Sequence, residues 1–99
     1  MDFSSVTADV AARMPALIDD LKQLVAIPSV AFPGFPAEPV ERMGSAVVDL
    51  FQRSGVSDAR LLEIPGGYPA VYAEIPGPAG SPTVLLYAHY DVQQGSNSP

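Results

Sequence analysis

Thr83-Val84-Leu85-Leu86-Tyr87-Ala88 runs without a charge and breaks into His89-Tyr90-Asp91, after which Val92-Gln93-Gln94-Gly95-Ser96-Asn97-Ser98-Pro99 turns polar. A near-continuous apolar run of this length, entered from Pro82 and left through polar residues, reads as a central strand covered on both faces. Strand alternation sends His89 and Asp91 to one side and Tyr90 to the other. In open α/β sheets ligands bind at the carboxyl ends of strands, because the sheet fixes side chains there while the loops beyond admit substrate.

Upstream, Ala59 to Ile64 and Ala70 to Ile75 form two more short apolar runs. Pro65-Gly66-Gly67-Tyr68-Pro69 separates them, and Pro76-Gly77-Pro78-Ala79-Gly80-Ser81-Pro82 leads on to the third. All three read as strands, the first two half-exposed because Glu63 and Glu74 interrupt their apolar pattern. Earlier still the period changes. From Thr7 to Ile27, residues Val10, Met14, Leu17, Ile18, Leu21, Leu24 and Val25 recur at three- and four-residue steps, one buried helix stripe. Pro15 predicts a kink or a fresh helical start, and Pro28 stops the helix at Ile27. A second helix is expected from Ala37 to Ser54, with Val40, Met43, Val47, Leu50 and Phe51 on its apolar face and Gly55 as its C-terminal cap. The loop between them, Ala31 to Pro36, carries Phe32 and Phe35, expected to lie back on the core. Two helices followed by three strands predict an α/β or α+β layered fold, and 99 residues leave room for one domain at most.

Composition narrows the partners. At 99 residues, 47% hydrophobic and 16% charged, the chain is globular in character rather than disordered. Five Lys and Arg against eleven Asp and Glu give a net charge of -6, which lacks the basic footprint that nucleic acid or an anionic membrane surface requires. Zero cysteines exclude a disulfide framework and a thiolate metal cluster, so any metal must be held by His and carboxylates. Asp9, Arg13, Pro15, Asp19 and Asp20 interrupt the apolar residues of the first twenty positions, unlike a signal peptide, and a cytoplasmic protein is expected.

His89 is the only histidine. A metal-bound imidazole is oriented by a carboxylate or carbonyl that takes its other ring proton, and Asp91 stands where such a group is needed. On spacing alone the same His-x-Asp triplet also describes a satisfied structural histidine at a strand end. Glu63 and Glu74 read as solvated-face glutamates. The glycines of the loops lack the spacing of a phosphate cradle.

The longer pattern Leu85-Leu86-Tyr87-Ala88-His89-Tyr90-Asp91-Val92-Gln93 resembles the first metal-site motif of the carboxypeptidase G, aminoacylase and dipeptidase family, in which a hydrophobic strand runs into His-x-Asp-Val. Asp20-Leu21-Lys22-Gln23-Leu24-Val25-Ala26-Ile27-Pro28-Ser29-Val30 is similar to that family's opening helix and the loop after it. Pro69-Ala70-Val71-Tyr72-Ala73-Glu74-Ile75 is similar to the strand before the motif. Tyr90 and Val92-Gln93 favour the dipeptidase-like branch. The family commonly has proline just after Asp-Val or Asp-Val-Gln, where this chain has Gln94.

The resemblance implies that residues 1–99 are the N-terminal part of a zinc-peptidase catalytic domain, an incomplete α/β unit with a mixed central sheet, cut after the first metal motif. His89 would be a metal ligand, and Asp91 the catalytic-site aspartate that positions it. Zinc is the implied cofactor, two ions in the intact protein, with cobalt or manganese as alternatives. The implied reaction is hydrolysis of an amide or peptide bond in a small peptide or N-acyl amino acid, with a homodimer open to the intact protein. The family's bridging aspartate, Glu-Glu pair, further carboxylate and late histidine have no counterpart here, so the isolated chain is expected to be inactive. The rival expectation is a non-catalytic structural or associative homologue in which His89 merely ends a strand.

Overall fold

Prolines and glycines set the boundaries of the elements, and the computed structural model describes residues 2–95. The first helix, α1, spans Ser4–Val25 and passes through Pro15 without a break. It begins three residues earlier than Thr7, where Asp2 Oδ1 accepts a hydrogen bond from the Ser4 N–H at 2.8 Å. Such a bond satisfies one of the amides a helix start leaves without a partner. Its end comes at Val25, just short of the Pro28 stop.

The expected burial of its apolar stripe does not occur. No residue of α1 is buried, and Val10, Leu17 and Leu21 stay exposed along it. The reason is a shortage of partners. Only the end of α1 approaches the second helix, where Asp20, Gln23 and Leu24 face Asp49, Leu50 and Arg53 across an open cleft.

That second helix, α2, spans Glu38–Arg53, with Pro39 in its first turn. Pro is tolerated there because its missing N–H would be unbonded anyway. Its end is a Schellman motif: Gly55 N–H donates to Gln52 O at 3.1 Å and Val56 N–H to Phe51 O at 2.9 Å, with Gly55 at φ +102°. Val40, Met43 and Gly44 of α2 are buried, and with Ala59 and Ser29 they form the small core. Gln52 Nε2 donates to Ala59 O at 3.1 Å, tying the helix to the chain entering the sheet.

The sheet has two strands rather than three. β1 (Arg60–Leu62) and β2 (Ala70–Tyr72) pair antiparallel, with Arg60 opposite Tyr72, Leu61 opposite Val71 and Leu62 opposite Ala70. The Arg60 guanidinium lies 4.9 Å from the centre of the Tyr72 ring, a cation–π pair across the ladder. The expected mixed central sheet is therefore a short antiparallel ribbon.

Thr83 to Ala88, read as its central strand, joins no ladder, and Val84, Leu85, Leu86 and Tyr87 are 78–90% exposed. A strand apolar on both faces needs neighbours on both, and two helices with a two-strand ribbon do not supply them. Pro76, Pro78 and Pro82 also remove donors from the approach, and Gly80 at φ +79° turns the chain away.

Candidate functional site

The chain returns to the body immediately after this bare run. Val92 N–H donates to Ser29 O at 3.0 Å, and Tyr90 Oη donates to Pro69 O at 2.7 Å. Both acceptors are fixed by local sequence. Ser29 follows Pro28 in a pair of three-residue turns, with Ser29 N–H donating to Ile27 O at 2.7 Å and Val30 N–H to Pro28 O at 3.0 Å. Pro69 closes the loop into β2. Gly44 of α2 lies against the tyrosine: a Cβ there would make ordinary contact with Tyr90 Oη at 3.5 Å and would crowd Leu61 Cδ2 at 3.2 Å.

His89 is exposed, whereas Tyr90, Asp91 and Val92 are each partly covered. Asp91 Oδ1 lies 2.9 Å and Asp91 O 3.1 Å from His89 Nδ1. A carboxylate and a carbonyl only accept, so Nδ1 is the donor in this pair, and a neutral ring in that tautomer has its lone pair on Nε2. The His89 side chain is 73% exposed and that of Asp91 38%, so Nε2 is presented to solvent. Burial pushes the Tyr90 phenol up from its ordinary value, and the Asp91 carboxylate beside it adds to the rise.

A cavity of about 410 Å³ lies beside Asp91, with Val30, Phe32 and Phe35 on one side and Asp91, Val92 and Gln93 on the other. Phe32 is 66% exposed there, and only Phe35 is partly covered. The aromatics of the loop thus wall a cleft instead of returning to the core, because the core is filled by Val40, Met43 and Ala59.

The donor set is small. Among the described residues no group of three or more His, Asp or Glu side chains comes together. Glu74 instead accepts the Tyr72 hydroxyl at 2.6 Å, and its N–H donates to Asp58 Oδ1 at 3.2 Å. A two-metal centre does not fit the residues present: His89 offers one ligand position, and the chain described here completes no coordination sphere. The polar stretch after Gly95 lies outside the described residues. Among those described, no helix is long and apolar enough to cross a membrane.

His89 and Asp91 were legible as a pair from strand alternation. Ser29, Gly44 and Pro69, which hold the segment in place, were not singled out for that task. Ser29 and Pro69 do stand in the quoted stretches that resemble the hydrolase family, whereas nothing in the sequence around Gly44 marks it. Set against protein-family models, curated proteins and solved structures, the chain matches none.

Proposed function

We propose that the chain is the opening part of a metal-dependent hydrolase of amide or peptide bonds in small substrates such as dipeptides. His89 is a zinc ligand through Nε2, and Asp91 is the aspartate that fixes its tautomer. The observation that carries this reading is the 2.9 Å contact between His89 Nδ1 and Asp91 Oδ1 beside an exposed ring. Metal-bound histidines characteristically give their second nitrogen to such a partner, which raises the basicity of the ligating one. When bound, the metal would supply an activated water and polarise the carbonyl. This chain's own residues orient one ligand and wall a cleft next to it. This reading requires further ligands from outside these 99 residues, and it takes the protein as cytoplasmic and independent of disulfides.

The isolated chain should therefore show no dipeptide hydrolysis with or without added zinc. The reading frame past Pro99 tests the assignment: a bridging acidic residue followed by a Glu-Glu pair supports it, and their absence overturns it. In the protein carrying those residues, His89→Ala should remove one metal and nearly all activity. Asp91→Asn should keep the fold and cost roughly 10- to 100-fold in metal affinity or rate. Elemental analysis beside hydrolysis rates reads both, and full metal and full rate in His89→Ala would make His89 structural. One contact favours that rival reading. His89 Nδ1 also meets the Asp91 backbone carbonyl at 3.1 Å, a local closure that a strand-end histidine makes without any metal.

A further inference from the structure

We propose that Tyr90 is a positioning residue for the His89–Asp91 pair, acting through the hydrogen bond from its phenol to the Pro69 carbonyl. The proposal rests on the reading that His89 is a metal ligand oriented by Asp91. Tyr90 sits between the two, and its hydroxyl binds Pro69 O rather than either neighbour. Whatever fixes its ring and backbone therefore fixes the directions in which its two neighbours leave the chain.

The run immediately before it offers no support. Val84 to Tyr87 are almost wholly exposed, and among the described residues none of Thr83 to Ala88 takes part in a backbone hydrogen bond or ladder. Entering the site from that side, Tyr90 makes the first bond to the body, and it spans to a residue twenty-one positions earlier. The second anchor, Val92 N–H to Ser29 O, lies on the far side of Asp91. Asp91 is thus held between two fixed points, whereas His89 stands between Tyr90 and the bare run and is anchored on one side only.

The phenol rests against α2. Gly44 lies under the ring, where a Cβ would come 3.6 Å from Tyr90 Cζ, and the Leu61 methyl closes one side. The hydroxyl is part-buried at the carbonyl it meets. A hydrogen bond in such a place is more directional and costlier to lose than one in open water. Losing it would free the Tyr90 backbone to rotate and would let the imidazole leave Asp91.

The experiment reads the His89 tautomer by ¹⁵N-edited long-range NMR of the full 99-residue chain, at a pH where the imidazole is neutral. In the unsubstituted chain Nδ1 should carry the proton in most molecules. Tyr90→Phe keeps the ring over Gly44 and removes only the donor. It should shift the majority to the Nε2-protonated form that free imidazole prefers, with circular dichroism unchanged. Gly44→Leu, whose side chain takes the seat of the ring, should shift the tautomer the same way and serves as the second variant if Tyr90→Phe fails to fold. A folded Tyr90→Phe chain that retains the Nδ1 proton would overturn the proposal and leave Tyr90 a packing residue. If the unsubstituted chain itself shows no preference for Nδ1, the pairing that underlies the hydrolase reading has failed, whatever Tyr90 does.

Discussion

Ser29 carries two opposite assignments in one residue. Its carbonyl holds the segment bearing Asp91, while its hydroxyl is wholly buried and has no hydrogen-bond partner among the described residues. A buried hydroxyl without a partner costs roughly 1 to 3 kcal/mol, and a methyl in its place costs nothing of the kind. Ser29→Ala should therefore raise stability by about 1 kcal/mol in chemical denaturation and leave the Val92 bond intact. A loss of stability would mean that the hydroxyl has a partner after all. The His89–Asp91 pairing was readable because alternation along three consecutive residues is a local rule. Gly44 was not, because its value is the space it leaves for Tyr90 and Leu61, which arrive from distant parts of the chain.

Helix and strand patterns in this sequence report what each element would bury if it had a partner, and here the partners decide. The apolar stripe of α1 has the right period for a buried face, yet α2 meets only its end. Val40 and Met43 of α2 obey the same rule and are buried, because the ribbon packs against α2. Pro15 lies inside an unbroken α1, whereas Pro28 and Gly55 marked their helix ends because they act through covalent geometry that needs no partner. Gly55→Ala tests that directly: at φ +102° an added Cβ should cost about 1 to 2 kcal/mol and fray the end of α2. Unchanged stability would show that the Schellman turn contributes nothing.

The run Thr83 to Ala88 makes the opposite prediction. Its free backbone edge and apolar side chains should drive concentration-dependent association in sedimentation. Leu86→Lys should relieve it, because an inserted charge blunts an edge strand. Monodisperse behaviour of the unsubstituted chain over a wide concentration range would refute this.

Taken whole, the molecule is open. Its accessible surface is 8044 Å², where a compact monomer of 10.4 kDa would show about 5,400 Å². Its radius of gyration is 16.5 Å, against about 13 Å for a compact chain of this size. The excess is concentrated on α1 and on the bare run, the two places where the sequence promised burial. Residues 75–89 leave the ribbon after the Glu74–Asp58 contact and rejoin the body at Tyr90, so both ends of this excursion are pinned. Pinning has a polymer consequence. While the loop is intact, the closing entropy is already spent and Tyr90 meets Pro69 at a high effective concentration. One peptide-bond cut among Leu85, Leu86 and Tyr87, which a chymotrypsin-like protease would find exposed, turns that meeting into an encounter between two molecules. Among the described residues, the released piece carrying His89 and Asp91 would be retained by two hydrogen bonds and the contact of the Tyr90 ring with Gly44. It should separate from the body on gel filtration, whereas a nicked chain that stays whole would reveal contacts stronger than these. The covalent thread through the least protected part of the chain, rather than the contacts at its far end, is what keeps the histidine on the protein.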